Sequence, residues 1–142
     1  MRSKFVPAAL AGMVAIALFG FLLYGVVFAK LFEANMGSTT GVMKSPPEFL
    51  WIGLAHVPFG LLLTLVISWR GATSARGGAV TGATLGFLMA ASYDLSQYGT
   101  TNLWALNLTL IDPFITMVLV GAAGAVVGMV LGRRSPTRSA MT

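Results

Sequence analysis

Four long apolar stretches occupy most of this 142-residue chain, at 5–29, 49–69, 77–95 and 108–131. A helix needs about 20 mostly apolar residues to cross about 30 Å of hydrocarbon. Three stretches meet that length, and the third, diluted by Gly, Ala and Thr, is marginal. Little chain is left for a soluble domain. The pattern predicts an all-α polytopic membrane protein, a single domain of four transmembrane helices followed by a short disordered tail, 133–142. Only 9% of the residues are charged and 56% are hydrophobic, against about 25% charge in soluble domains.

The first stretch resembles a secretory signal only in its Arg2 and Lys4. It is much longer than a signal's apolar region of about 7–15 residues, and Lys30 and Glu33 close it in place of a small-residue cleavage site. It is expected to be a retained span. Positive charge then sets the orientation. Arg2 and Lys4 precede the first span, Arg70 and Arg76 lie in the second loop, and Arg133, Arg134 and Arg138 follow the last. The third loop, from Ser96 to Asn107, carries no Lys or Arg. Lys and Arg are retained on the cytoplasmic side, so an even number of spans with both termini cytoplasmic accommodates every basic segment. The net charge of +5 faces anionic lipid headgroups at the cytoplasmic surface rather than nucleic acid. Trp51, Trp104, Tyr93 and Tyr98 form an expected outer aromatic belt, and Trp69 an inner anchor. The chain has no cysteine, which excludes disulfides and thiolate metal sites.

Small residues recur every fourth position in the last two stretches: Gly78, Gly82, Gly86 and Ala90, then Gly124, Gly128 and Gly132. Such ridges let helix backbones approach closely in lipid, so these spans are expected to form a tight hairpin. Ala8, Gly12 and Ala15 give the first span a weaker version.

Ionisable residues inside spans are candidates for function. His56, Asp94 and Asp112 qualify, and all fall in the outer half on the expected topology. Tyr93 adjoins Asp94, and Lys30 lies near the same surface. Each has a structural reading. Asp112 before Pro113 has the form of a helix N-cap with proline at the first helical position. Asp94 stands where a helix is expected to end, and a carboxylate there opposes the helix dipole; capping accounts for it poorly. His56 precedes Pro58, which frees the Leu54 carbonyl, and an imidazole N–H can satisfy such a group. Lys30 can snorkel to the interface. If Asp94 and Asp112 sit at one depth in a partly dry site, they compete to hold charge and either share a proton or recruit a cation, Lys30 or His56 being at hand.

No cofactor is expected: one histidine cannot supply two axial haem ligands, no spacing suits zinc, and no phosphate loop is present. No nucleophile–base pair stands out, so the chain is expected not to be an enzyme. Two functional classes remain. One is a non-enzymatic accessory subunit or small-ligand binder with an outward-facing polar cavity, either as a homo-oligomer or within a larger membrane complex. The other is a small-solute or proton-linked transporter. The inner half lacks polar residues to line a path, which places transport second.

Tyr93-Asp94-Leu95, Thr109-Leu110-Ile111-Asp112 and the run from Leu23 to Lys30, with the Gly/Ala/Val-rich last span, resemble a family of small four-span bacterial membrane proteins known as a domain of unknown function. The likeness covers most of the chain in pattern. It implies a bacterial inner-membrane location and supplies no activity. The first loop is longer and richer in Gly, Ser and Thr than the family pattern, and His56 matches no family motif.

Overall fold

The computed structural model describes residues 2–133; the tail expected to be disordered lies outside them except for Arg133. The fold is all helical, and three helices are long and apolar enough to cross a membrane. Helix α1 (Arg2–Gly20) runs directly into a π-helical segment, Phe21–Val27. A short α2 (Ala29–Ala34) follows, then α3 (Phe49–Trp69), α4 (Ala75–Thr100) and α5 (Leu106–Gly132). Helix α5 is the centre of the bundle, packed along α4 on one side and α1 on the other, and α1 in turn packs against α3. The core between α1, α3 and α5 is built from Ala8, Ile16, Leu63, Ile67, Val120 and Val127. Large apolar side chains such as Leu10, Val14, Leu18 and Val118 remain exposed, as lipid-facing positions do when lipid replaces water as the solvent.

Glycine decides how α4 meets α5. A Cβ on Gly78 would strike the Gly124 carbonyl, one on Gly82 the Val120 carbonyl, and one on Gly86 would lie 2.7 Å from Val120 Cβ and 2.9 Å from the Thr116 carbonyl. From the other side, Gly124 meets Gly78, and Gly128 meets Ser74 and Gly78. The expected ridge thus forms a backbone-to-backbone seam in antiparallel register. The weaker ridge of α1 is used as well: a Cβ on Gly12 would lie 2.8 Å from Val127 Cγ2.

Helix α4 is not among the three apolar enough to cross by composition, in keeping with its marginal third stretch. Its start follows local rules: the Ser74 hydroxyl accepts from the Gly77 N–H at 3.1 Å, an N-cap bond. The preceding α3 ends in a left-handed glycine, Gly71 (φ 69°). Ala72 N–H returns to the Ile67 carbonyl and Gly71 N–H to that of Ser68, the pairing that satisfies the last carbonyls of a helix.

Three boundaries differ from the sequence reading. The first stretch is not one regular helix. It widens to π geometry after Gly20, closes with the Phe28 N–H on the Leu23 carbonyl at 2.7 Å, and breaks before α2. Helix α4 continues past Leu95 to Thr100, supported by the Thr100 hydroxyl donating to the Ser96 carbonyl. Helix α5 starts at Leu106, so Asp112 lies inside it and not at its cap.

The long connection after α2 is tied to the α4–α5 connection. Met36 and Trp104 form an antiparallel bridge, in which Gly37 N–H donates to the Leu103 carbonyl at 2.8 Å and Ala105 N–H to that of Asn35 at 3.1 Å. The Asn35 and Asn107 side chains also bond. This clamp holds Ala105 and explains why α5 begins there. At the opposite end, Lys4 Nζ donates to the Arg133 carbonyl, and Thr73 lies beneath Gly132. One end of the bundle therefore gathers Lys4, Arg70, Arg76 and Arg133, and the other holds Asp94 and Asp112.

Candidate functional site

The seam between α4 and α5 explains the position of both aspartates. On α4 the four-residue steps Gly78, Gly82, Gly86 and Ala90 lead next to Asp94. On α5 the steps Gly128, Gly124, Val120 and Thr116 lead to Asp112 and then Leu108. The same register that packs glycine on glycine at the basic end therefore brings carboxylates together at the other. Asp94 and Asp112 both line one cavity of about 380 Å³, within the range of about 300–1,000 Å³ typical of small-molecule sites.

The cavity wall is mainly apolar. Helix α4 contributes Met89, Ala90 and Tyr93; helix α5 contributes Leu108, Thr109 and Thr116. Phe32 of α2 and Trp104 of the clamp close it. Phe32 packs edge-on against Tyr24 at 5.0 Å and against Trp104 at 6.1 Å between ring centroids. No basic side chain is among the lining residues.

The two carboxylates are not equivalent. Asp112 is half-buried and partnered: the Tyr24 hydroxyl donates to its Oδ1 at 2.8 Å, and the Thr116 hydroxyl stands 2.7 Å from Tyr24 and 3.5 Å from Asp112 Oδ2. Asp94 is 7% exposed, and its Oδ2 is buried with no hydrogen-bond partner. Buried polar groups are nearly always hydrogen-bonded, and a buried charge needs a partner. Asp94 thus holds an enclosed oxygen without a donor, with the Asp112 carboxyl within hydrogen-bonding reach, while the rest of the residue lines the cavity. Pro113 adds to this level of α5 by leaving the Thr109 carbonyl without its helical N–H.

The π-helical segment carries Tyr24 to this site. Single π turns inside α-helices are uncommon and cluster at functional sites. Here the widened turn places the Tyr24 hydroxyl between Asp112 and Thr116. This arrangement replaces the N-cap expected for Asp112: Ala105 occupies the cap position, and the carboxylate turns to a side chain on another helix. Asp94 likewise does not end its helix, which continues to Thr100; its distinction is burial without a partner.

Of the remaining candidates, Tyr93 shares the cavity and His56 and Lys30 do not. Tyr93 lines the cavity, though its ring is largely exposed. His56 does not line it; its Nδ1–H donates to the Ile52 carbonyl at 2.6 Å, one turn back on its own helix, and not to the carbonyl of Leu54. Lys30 is exposed on α2 and does not line the cavity either. Neither cation therefore stands in the cavity to balance the aspartates. Trp104, expected in an aromatic belt, is half-buried in the cavity wall, whereas Trp51 and Trp69 are exposed. Tyr24, Thr109 and Thr116 were missed as site residues. For Thr116 a signal existed, since it falls on the four-residue ladder between Val120 and Asp112. Among the described residues no group of three or more His, Cys, Asp or Glu side chains is placed to hold a metal ion.

No curated protein and no solved structure matches the chain. Residues 5–130 match the model of a family described as predicted membrane protein DUF2177, and the match includes every residue of the cavity and nearly all of the glycine seam. The chain belongs to the DUF2177 family of membrane proteins, whose function is unknown.

Proposed function

We propose that this chain is a non-enzymatic, four-span bacterial inner-membrane protein, with both termini cytoplasmic, that binds a small ligand in a cavity open to the outer face. Asp94 carries the reading: a buried carboxylate with one unpartnered oxygen in the wall of an apolar cavity. The fourth span is α4. Its 26 residues rise about 39 Å at about 1.5 Å each, more than the hydrocarbon thickness of about 30 Å. The clamp between the two connections at the acidic end also supports a crossing, because α3 and α4 together must leave that end and return to it. The gathered basic residues support a cytoplasmic location for the opposite end.

Binding is favoured over transport by what lies at the basic end. The buried hydroxyls there, Thr64 and Thr81, are bonded to carbonyls of their own helices, Gly60 at 2.8 Å and Gly77 at 2.7 Å. They offer no chain of free polar groups to continue a path from the aspartates. The exposed apolar faces suit lipid, a second copy or a larger membrane complex in which the protein serves as an accessory subunit.

The absence of cysteine permits a direct test. Ala90→Cys places one thiol in the cavity wall at a partly exposed position. In oriented proteoliposomes, a small impermeant thiosulfonate reagent is expected to label it from the outer side alone. Labelling from both sides would establish a transport path and overturn the binder. Silence from both sides, with the protein folded, would remove the open cavity.

A further inference from the structure

Resting on the reading of this cavity as a ligand site, the geometry points to a small organic ammonium ion as its occupant, the nitrogen held at Asp94 and the apolar body against Phe32, Trp104 and Leu108. Four observations converge on that chemistry. The cavity wall carries two carboxylates and no basic side chain, so an anionic ligand would meet only repulsion. Asp112 already accepts from Tyr24, whereas Asp94, more than nine-tenths buried, has an oxygen that lacks a donor. Oδ2 itself is enclosed, so an ammonium group meets the part of the Asp94 carboxylate that lines the cavity, and supplies positive charge and N–H donors there. Phe32, Tyr93 and Trp104 stand in the same wall, an aromatic surface suited to the apolar body of such an ion.

A bare metal ion fits less well. Hard cations collect about six or more oxygen ligands, and among the described residues the acidic side chains do not gather in threes. A neutral apolar molecule would suit the walls and leave Asp94 unsatisfied. An organic ammonium uses both parts of the cavity.

Trp104 reports occupancy from within the wall. In a Trp51→Phe/Trp69→Phe background it is the sole tryptophan, and its emission can be followed in maltoside detergent micelles, which carry no ammonium group. Benzylamine, benzyl alcohol and benzoate share one ring and differ in the polar group. Benzylamine is expected to shift the emission saturably, benzyl alcohol to bind at least about tenfold more weakly, and benzoate not at all. Asp94→Asn, near-isosteric, is expected to reduce the benzylamine affinity by at least about tenfold and to leave benzyl alcohol unchanged. If Asp94→Asn does not fold, the comparison of the three probes on the parent still decides. Equal binding of benzylamine and benzyl alcohol would overturn the ammonium while leaving the cavity as a ligand site. Silence of all three probes, with Ala90→Cys still labelled from outside, would overturn it likewise; silence of the thiol as well would remove the site itself. A Trp104 response to sodium or calcium ions alone that blocks benzylamine would also overturn the organic ligand. Nanodiscs with phosphatidylethanolamine separate two sources of the same chemistry. Competition by that lipid assigns the ammonium to a headgroup, its absence assigns it to a free amine, and either supports the inference.

Discussion

Replacing Gly82 tests whether the α4–α5 seam is what holds the aspartates in register. A Cβ at Gly82 would press into the Val120 carbonyl oxygen, and would lie 3.0 Å from that carbonyl's carbon and 3.2 Å from Gly124 Cα. All three neighbours are backbone, so no side chain can rotate away and the helices must separate. Overpacking of this kind costs about 1–3 kcal/mol. The better helix propensity of alanine returns about 1 kcal/mol. Gly82→Ala is therefore expected to lose about 1 kcal/mol net, and Gly82→Leu, with a larger side chain in the same gap, about 3 kcal/mol. Gly53 is the matched control: it lies inside α3, and nothing stands within 4 Å of its built Cβ. Gly53→Ala is expected to be neutral or to stabilise by up to about 1 kcal/mol. Equilibrium unfolding in mixed detergent micelles, followed by circular dichroism, gives both values. Gly82→Leu unfolding at the same point as the parent would refute the seam as a packing surface, as would a Gly53→Ala variant weaker than Gly82→Ala.

Other expectations address topology and the Tyr24 contact. Cysteines at Ser38 and Thr100 should react with an impermeant reagent from outside the cell, and one at Ser74 should not; the reverse pattern would invert the orientation. Tyr24→Phe removes the donor to Asp112 and is expected to lower stability by about 1–2 kcal/mol. A double-mutant cycle with Asp112→Asn should then show that the two losses are not additive, whereas additive losses would show that the 2.8 Å contact contributes nothing. His56→Gln, which leaves the cavity wall intact, is expected to preserve benzylamine binding. A large loss there would place the imidazole in the site.

Much of the fold was legible because its main signals are local and periodic. Apolar length located α3 and α5, and the glycine ladder announced the closest helix pair. The site was only half legible. Asp112-Pro113 has the local form of a helix start, and local form cannot register a tyrosine 88 residues away. Asp94 stands just before the polar stretch that reads as the third loop, yet hydroxyl groups bonding back to the helix carry α4 onward. Its real meaning lay in extending the glycine ladder by one step, which joins the packing signal to the chemical one. The π turn had no local signature beyond Gly20 and Gly25, since the Tyr24 contact it enables is made with another helix. His56 was conspicuous as the lone histidine, and its hydrogen bond proved to be internal to α3.

If Asp94 and Asp112 form one site, the Asp94 carboxyl must sense its neighbour. Infrared difference spectroscopy of the carboxyl stretch, titrated in the parent and in Asp112→Asn, measures this. Groups that share a site titrate as a pair, so the Asp94 titration is expected to change when Asp112 is replaced. An Asp94 carboxyl that titrates identically with and without Asp112 would show two independent groups and no common site.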